Sequence, residues 1–70
     1  MITEAQIKQN LAKAIKSSGM AYTQIAKELG INVQTVSRYA NGKTLPRAIV
    51  FGKLCVILNL DPNEILCLTK

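Results

Sequence analysis

The chain of 70 residues has no histidine, no tryptophan, one phenylalanine and two cysteines. Each shortage closes off some chemistry. Without histidine, the commonest general base and the commonest metal ligand are both missing. Cys55 and Cys67 are too few for a disulfide framework and have no histidine nearby to complete a zinc site. Both are expected to serve as small core hydrophobes in a reducing compartment. No pair of carboxylates shares a helical face and no base stands near either thiol, so neither an enzyme nor a cofactor is expected. No apolar run approaches the roughly 20 residues of a membrane span. Met1 to Met20 carry Lys8, Lys13 and Lys16 without the continuous apolar stretch of a signal peptide. A soluble, cytoplasmic protein is expected.

Acids are scarce too. Four Asp and Glu stand against nine Lys and Arg, a net charge of +5. Their placement says more than the total. From Leu29 to Leu60 there is no acid, whereas Arg38, Lys43, Arg47 and Lys53 all lie there. A basic centre attracts polyanions, but by itself only non-specifically. No repeat, low-complexity tract or linker divides the chain, so residues 1–70 are expected to form one domain. A chain this short buries only about 60% of its unfolded surface, and a partner would help to stabilise it.

What is present is helical patterning. Thr3 followed by Gln6 resembles a capping box, and Ile7, Leu11, Ala14 and Ile15 make one apolar stripe of a first helix over about Glu4–Lys16. Gly19 can end it, and the lysines are expected to solvate its other face. A second helix covers roughly Tyr22–Leu29, with Ile25, Ala26 and Leu29 inward, and Gly30 suits the left-handed turn that stops it. Asn32 can cap a third helix from Val33, which should stop at Asn41-Gly42. Two helices about three residues apart, with glycine in the turn, make a helix-turn-helix. Pro46 marks the start of a fourth helix near Arg47–Leu58. Asp61-Pro62 reads as the cap and first turn of a short fifth helix through about Cys67. Nothing alternates as a strand would, so the expected class is all-α with five helices.

The stretch YTQIAKELGINVQTVSRYAN resembles the helix-turn-helix of the lambda-repressor and Cro family, often called XRE-like. Ala26 is small where two helices cross, Gly30 takes the turn, and Ile25, Leu29, Ile31, Val36 and Tyr39 supply the shared core. NGKTLP and NLDPNEIL resemble the family's following loop and closing helix, so the resemblance runs from Ile7 to Leu66. It implies a DNA-binding transcriptional regulator whose third helix enters the major groove, where base edges differ in donors and acceptors.

By spacing, Val36, Tyr39 and Ala40 point inward on that helix. Val33, Gln34, Ser37 and Arg38 point outward and match the positions the family uses for base or groove contact. Gln34 can pair bidentately with adenine, Arg38 with guanine or a phosphate, and Val33 can meet a thymine methyl. The candidate phosphate contacts are Tyr22, Thr23, Gln24, Asn32, Thr35, Asn41, Lys43 and Thr44, with Asn41 and Lys43 matching the family's clamp loop best. Relatives often carry Thr-Gln where this chain has Ala21-Tyr22. Ala21 cannot cap the second helix, and Tyr22 offers only its hydroxyl. Gln24 is out of register with the family's phosphate-gripping glutamine. Ala40 replaces a frequent glutamate, which leaves the local charge more positive.

On the fourth helix, Ala48, Phe51, Leu54, Cys55 and Leu58 form the expected inward stripe. Ile49, Val50, Val56 and Ile57 fall largely off it, where an amphipathic surface helix would carry charge. Gly52, beside Ile49 and Val56, would let a second helix approach. A homodimer through Ile49, Gly52, Val56 and Ile57, with Leu66, Cys67 and Leu68 as further contacts, is therefore expected. A two-fold pair would set two recognition helices about 34 Å apart and read a near-palindrome. By the family resemblance, the expected function is a repressor similar to Cro-like phage or prophage regulators and to small plasmid or restriction-modification controllers. The alternative is an antitoxin or other protein-interaction module that uses the fourth helix's apolar face.

Overall fold

A computed structural model describes residues 3–66. Five helices follow one another: α1 (Glu4–Ser17), α2 (Tyr22–Leu29), α3 (Val33–Ala40), α4 (Ala48–Ile57) and α5 (Pro62–Ile65), with no strand among the described residues. α2 packs on α3 and α4, while α1 packs on α3 and closes against α5. The fifth helix was expected to reach Cys67, which lies outside the described residues.

Local chemistry sets most of the boundaries. Thr3 Oγ1 accepts the Gln6 N–H at 3.1 Å and so satisfies one orphan donor of α1. Asp61 does the same for α5 by accepting the Asn63 N–H at 2.9 Å, with Pro62 in the first turn. Three helices end alike. After α2, Gly30 is left-handed (φ 69°), and the N–H groups of Gly30 and Ile31 donate to Lys27 and Ala26 carbonyls. After α3, Gly42 (φ 70°) repeats this, with Lys43 N–H reaching the Arg38 carbonyl at 3.0 Å. After α4, Asn59 takes the left-handed conformation at φ 56°, and Leu60 N–H reaches the Cys55 carbonyl at 2.8 Å. These paired bonds satisfy carbonyls that a bare helix end would leave open.

The core is wholly apolar. Leu11 and Ile15 from α1, Ile25, Ala26 and Leu29 from α2, Val36, Tyr39 and Ala40 from α3, Leu54 from α4 and Ile65 from α5 form one buried cluster. Among the described residues no polar or charged side chain is buried. Truncating a fully buried member such as Ile25 to alanine would cost about 2–5 kcal/mol. A domain of this size has roughly 4–10 kcal/mol in all, so one such change would leave it barely folded.

α4 departs from expectation. Leu54 and Cys55 are buried, with Phe51 and Leu58 half-buried, but Ala48 is exposed. Val50 and Ile57, expected off the inward stripe, pack against the core instead. The buried arc centres on Leu54, with Val50 and Ile57 on one flank and Phe51 and Leu58 on the other. The helix is apolar at nearly every position, so its own periodicity does not choose a face; the packing of α2 against it does.

Candidate nucleic-acid interface

The turn Gly30-Ile31-Asn32 joins α2 to α3 and sets one helix across the other. Ala26, buried at this packing, leaves room for the crossing, and Ile31 is half-buried over the junction. Asn32 Oδ1 accepts the Gln34 N–H at 2.9 Å and fixes the first turn of α3. With Val36, Tyr39 and Ala40 locked in the core, the rotation of α3 about its axis is determined.

That rotation presents Val33 (38% exposed), Gln34 and Arg38 to solvent on one side. Ser37 and Thr35 are half-buried at its margins. Ser37 is not free: Asn41 Nδ2 donates to its Oγ at 3.3 Å. Neither Gln34 nor Arg38 is engaged by another side chain among the described residues. A long amide and a guanidinium standing clear of the protein are the groups suited to bidentate pairing with base edges.

Around this face lie the candidate phosphate contacts. Lys43 is exposed beyond Gly42, its backbone held by the Arg38 carbonyl and its ammonium unpaired among the described residues. Asn41 is exposed and Thr44 half-buried in the same loop. At the start of α2, Ala21 makes no side-chain cap, so the helix's first N–H groups are left without a side-chain partner. Thr23 is exposed there and Tyr22 half-buried, its ring packed on the core. Gln24 is engaged otherwise: its Nε2 donates to Glu28 Oε1 at 3.0 Å, along the helix and away from the α2 N-terminus.

A groove of about 540 Å³ runs between α1 and the end of α3. Lys8 and Lys16 line one wall, and Asn41 and Gly42 line the other. Two lysines expected only to solvate α1 thus line the same groove as the loop after α3, although Lys8 is shared with Glu4 at 4.0 Å. Their i, i+8 spacing, which puts them on one face two turns apart, was the available sequence signal. Ala40 and Glu4 line this groove as well, so one carboxylate stands in it beside the two lysines.

The model of the helix-turn-helix family matches residues 11–65, which is most of the chain and includes both helices of this interface. The chain belongs to the lambda-repressor, or XRE-like, helix-turn-helix family. At the level of that family it is a DNA-binding transcription regulator. No curated protein and no solved structure matches it. Within the matched span, α2 and α3 are the two helices of the helix-turn-helix unit. Among the described residues no group of acids and cysteines could hold a metal ion, and no helix is long and apolar enough to cross a membrane.

The second surface lies on α4. Ile49 is 75% and Val56 81% exposed, with exposed Gly52 between them. Shallow grooves of about 400 Å³ and 530 Å³ flank this ridge and share Gly52 and Val56. Ile57 is half-buried at the edge, one side on the core and the other lining the smaller groove. Leu66 is half-buried after α5, while Leu68 lies outside the described residues.

Proposed function

We propose that this chain is a cytoplasmic, sequence-specific transcriptional regulator, a Cro-like repressor acting by occluding a promoter, with residues 1–70 forming one DNA-binding domain. It binds a near-palindromic operator as a homodimer and lays α3 of each copy in successive major grooves. Val33, Gln34, Ser37 and Arg38 read bases. Asn32, Asn41, Lys43 and Thr44 hold phosphates, with Thr23, Thr35 and the Tyr22 hydroxyl as lesser contacts. Gln24 contributes least, because Glu28 already engages it.

The observation that carries this proposal is the division of α3. Val36, Tyr39 and Ala40 are buried, while Gln34 and Arg38 stand exposed on a stretch free of acids. Selection of bound duplexes from a random pool, followed by affinity against salt, tests it. If a dimer neutralises about six phosphates, log affinity falls against log salt with a slope of about −5. A flat salt response, or no preference over random DNA, would refute it.

A second proposal draws on the exposed Ile49 and Val56. An antitoxin-like module would use this face to hold a different protein. Sedimentation separates the two: a self-associated dimer that shields Val56 favours the regulator, and a monomer with the face open favours a hetero-partner.

A further inference from the structure

One pair of side chains at the end of α3 links two roles that the proposed function treats separately. Asn41 Nδ2 donates to Ser37 Oγ at 3.3 Å, and the Asn41 backbone N–H donates to the Ser37 carbonyl at 3.0 Å. The two residues are one turn apart, so their side chains share a helical face. Residue 41 thus holds residue 37 twice, once through the helix and once through the side chain.

A serine hydroxyl has one proton and two lone pairs, and its rotor follows its partners. In a helix it commonly donates back to a carbonyl one turn earlier. Among the described residues Ser37 Oγ makes no such bond; its partner is the Asn41 amide. An N–H directed at Oγ occupies a lone pair and turns the hydroxyl proton away from Asn41. Ser37 lies half-buried on the margin of the face bearing Gln34 and Arg38. The proton is thereby free to turn outward, toward an acceptor in the groove.

We infer that Asn41 is a positioning residue that fixes Ser37 as a hydrogen-bond donor toward DNA, so that Ser37 favours a base presenting an acceptor in the major groove over cytosine. Guanine N7 and O6, adenine N7 and thymine O4 qualify, whereas cytosine offers only its N4 donor there. The amide's second N–H stays available to a phosphate, so one side chain ties the backbone clamp to the reader. This inference rests on the base-reading role of α3 proposed above.

The test takes the duplex that the wild-type protein selects from a random pool and measures competition by single-base variants at every position. One position per half-site should disfavour cytosine by about fivefold, the scale of one hydrogen bond. Ser37→Ala and Asn41→Ala should each flatten that position alone, the double variant should do no more, and Ser37→Thr should restore the preference. Asn41→Asp should reverse it toward cytosine, because a carboxylate only accepts, draws the hydroxyl proton inward and leaves lone pairs facing the groove. Circular dichroism verifies the fold of each variant, and Asn41→Ala decides the matter if Asn41→Asp fails to fold. If both Asn41 variants weaken all duplexes alike and leave the profile intact, Asn41 is a clamp only and the inference is overturned. If the wild-type protein selects no sequence, the proposed function itself falls, and this inference with it.

Discussion

Asn32 Oδ1 accepts the backbone N–H of Gln34 at 2.9 Å, so the residue before α3 is joined to a residue at its tip. The bond satisfies one of the helix's orphan donors while holding the segment that Gln34 presents. Asn32→Ala should lower stability by about 1 kcal/mol, the usual scale for losing such a cap. Denaturant unfolding would register this as a lower midpoint with an unchanged slope. Asn32→Asp, which keeps the acceptor, should recover most of it.

The outward residues of α3 and the loop after it should fail differently. Gln34→Ala and Arg38→Ala should each cost about 1–3 kcal/mol on the selected duplex and far less on random DNA, if each pairs bidentately. Lys43→Ala should weaken both alike and reduce the salt slope by about one. Parallel titrations on specific and random duplexes separate the cases. Equal losses on both for Gln34→Ala would remove it from the readers.

Val56 is well exposed on α4 and makes no part of the buried cluster, so Val56→Asp should leave helicity and melting nearly intact. A buried carboxylate at a subunit contact would be strongly unfavourable, so the same change should dissociate the proposed dimer. Sedimentation velocity should show the mass halving, and affinity for a full palindrome should drop toward that for a half-site. A dimer mass that the change leaves intact would place the interface elsewhere, and a parent already monomeric would refute the dimer.

The buried thiol of Cys55 has its ionisation pushed up, first by burial and then by the negative charge of Asp61. The unfolded chain therefore loses this proton at a lower pH than the folded one. Its contribution to stability is whole below the ordinary thiol value of 9.0 and is lost as pH rises above it toward the folded value. The stability difference between the parent and Cys55→Ala should accordingly shrink over that alkaline window. In a Cys67→Ser background, a thiol reagent at pH 8 should react much more slowly with the native protein than with the denatured one.

Most helix boundaries were legible because their signals are local. Thr3 with Gln6, Gly30, Asn32, Gly42 and Asp61-Pro62 each act within a few residues of the end they set. The exposure of Val33, Gln34 and Arg38 was legible for the same reason, since Val36, Tyr39 and Ala40 fix the orientation of α3, whereas Ser37, expected outward with them, is half-buried. α4 was not, because with Ile49, Val50, Val56 and Ile57 all apolar, only the packing of neighbouring helices selects Val50 and Ile57 for the core. The left-handed Asn59 and the Asn10 Nδ2 bond to the Ile65 carbonyl at 3.1 Å likewise depend on context or on distant chain. Within the interface, hydrogen bonding within a single helix turn or two changed the picture. Gln24 is turned to Glu28 and Ser37 to Asn41, and spacing alone permits such pairs without requiring them.

The bonds that bound α3 come from the Asn32 side chain and carbonyl at one end and from Asn41, Gly42 and Lys43 at the other. None of them uses the side chains of Val33, Gln34 or Arg38. Exchanging those three should therefore leave the melting temperature almost untouched, and a lineage could wander among target sequences along a path that folding selection does not police.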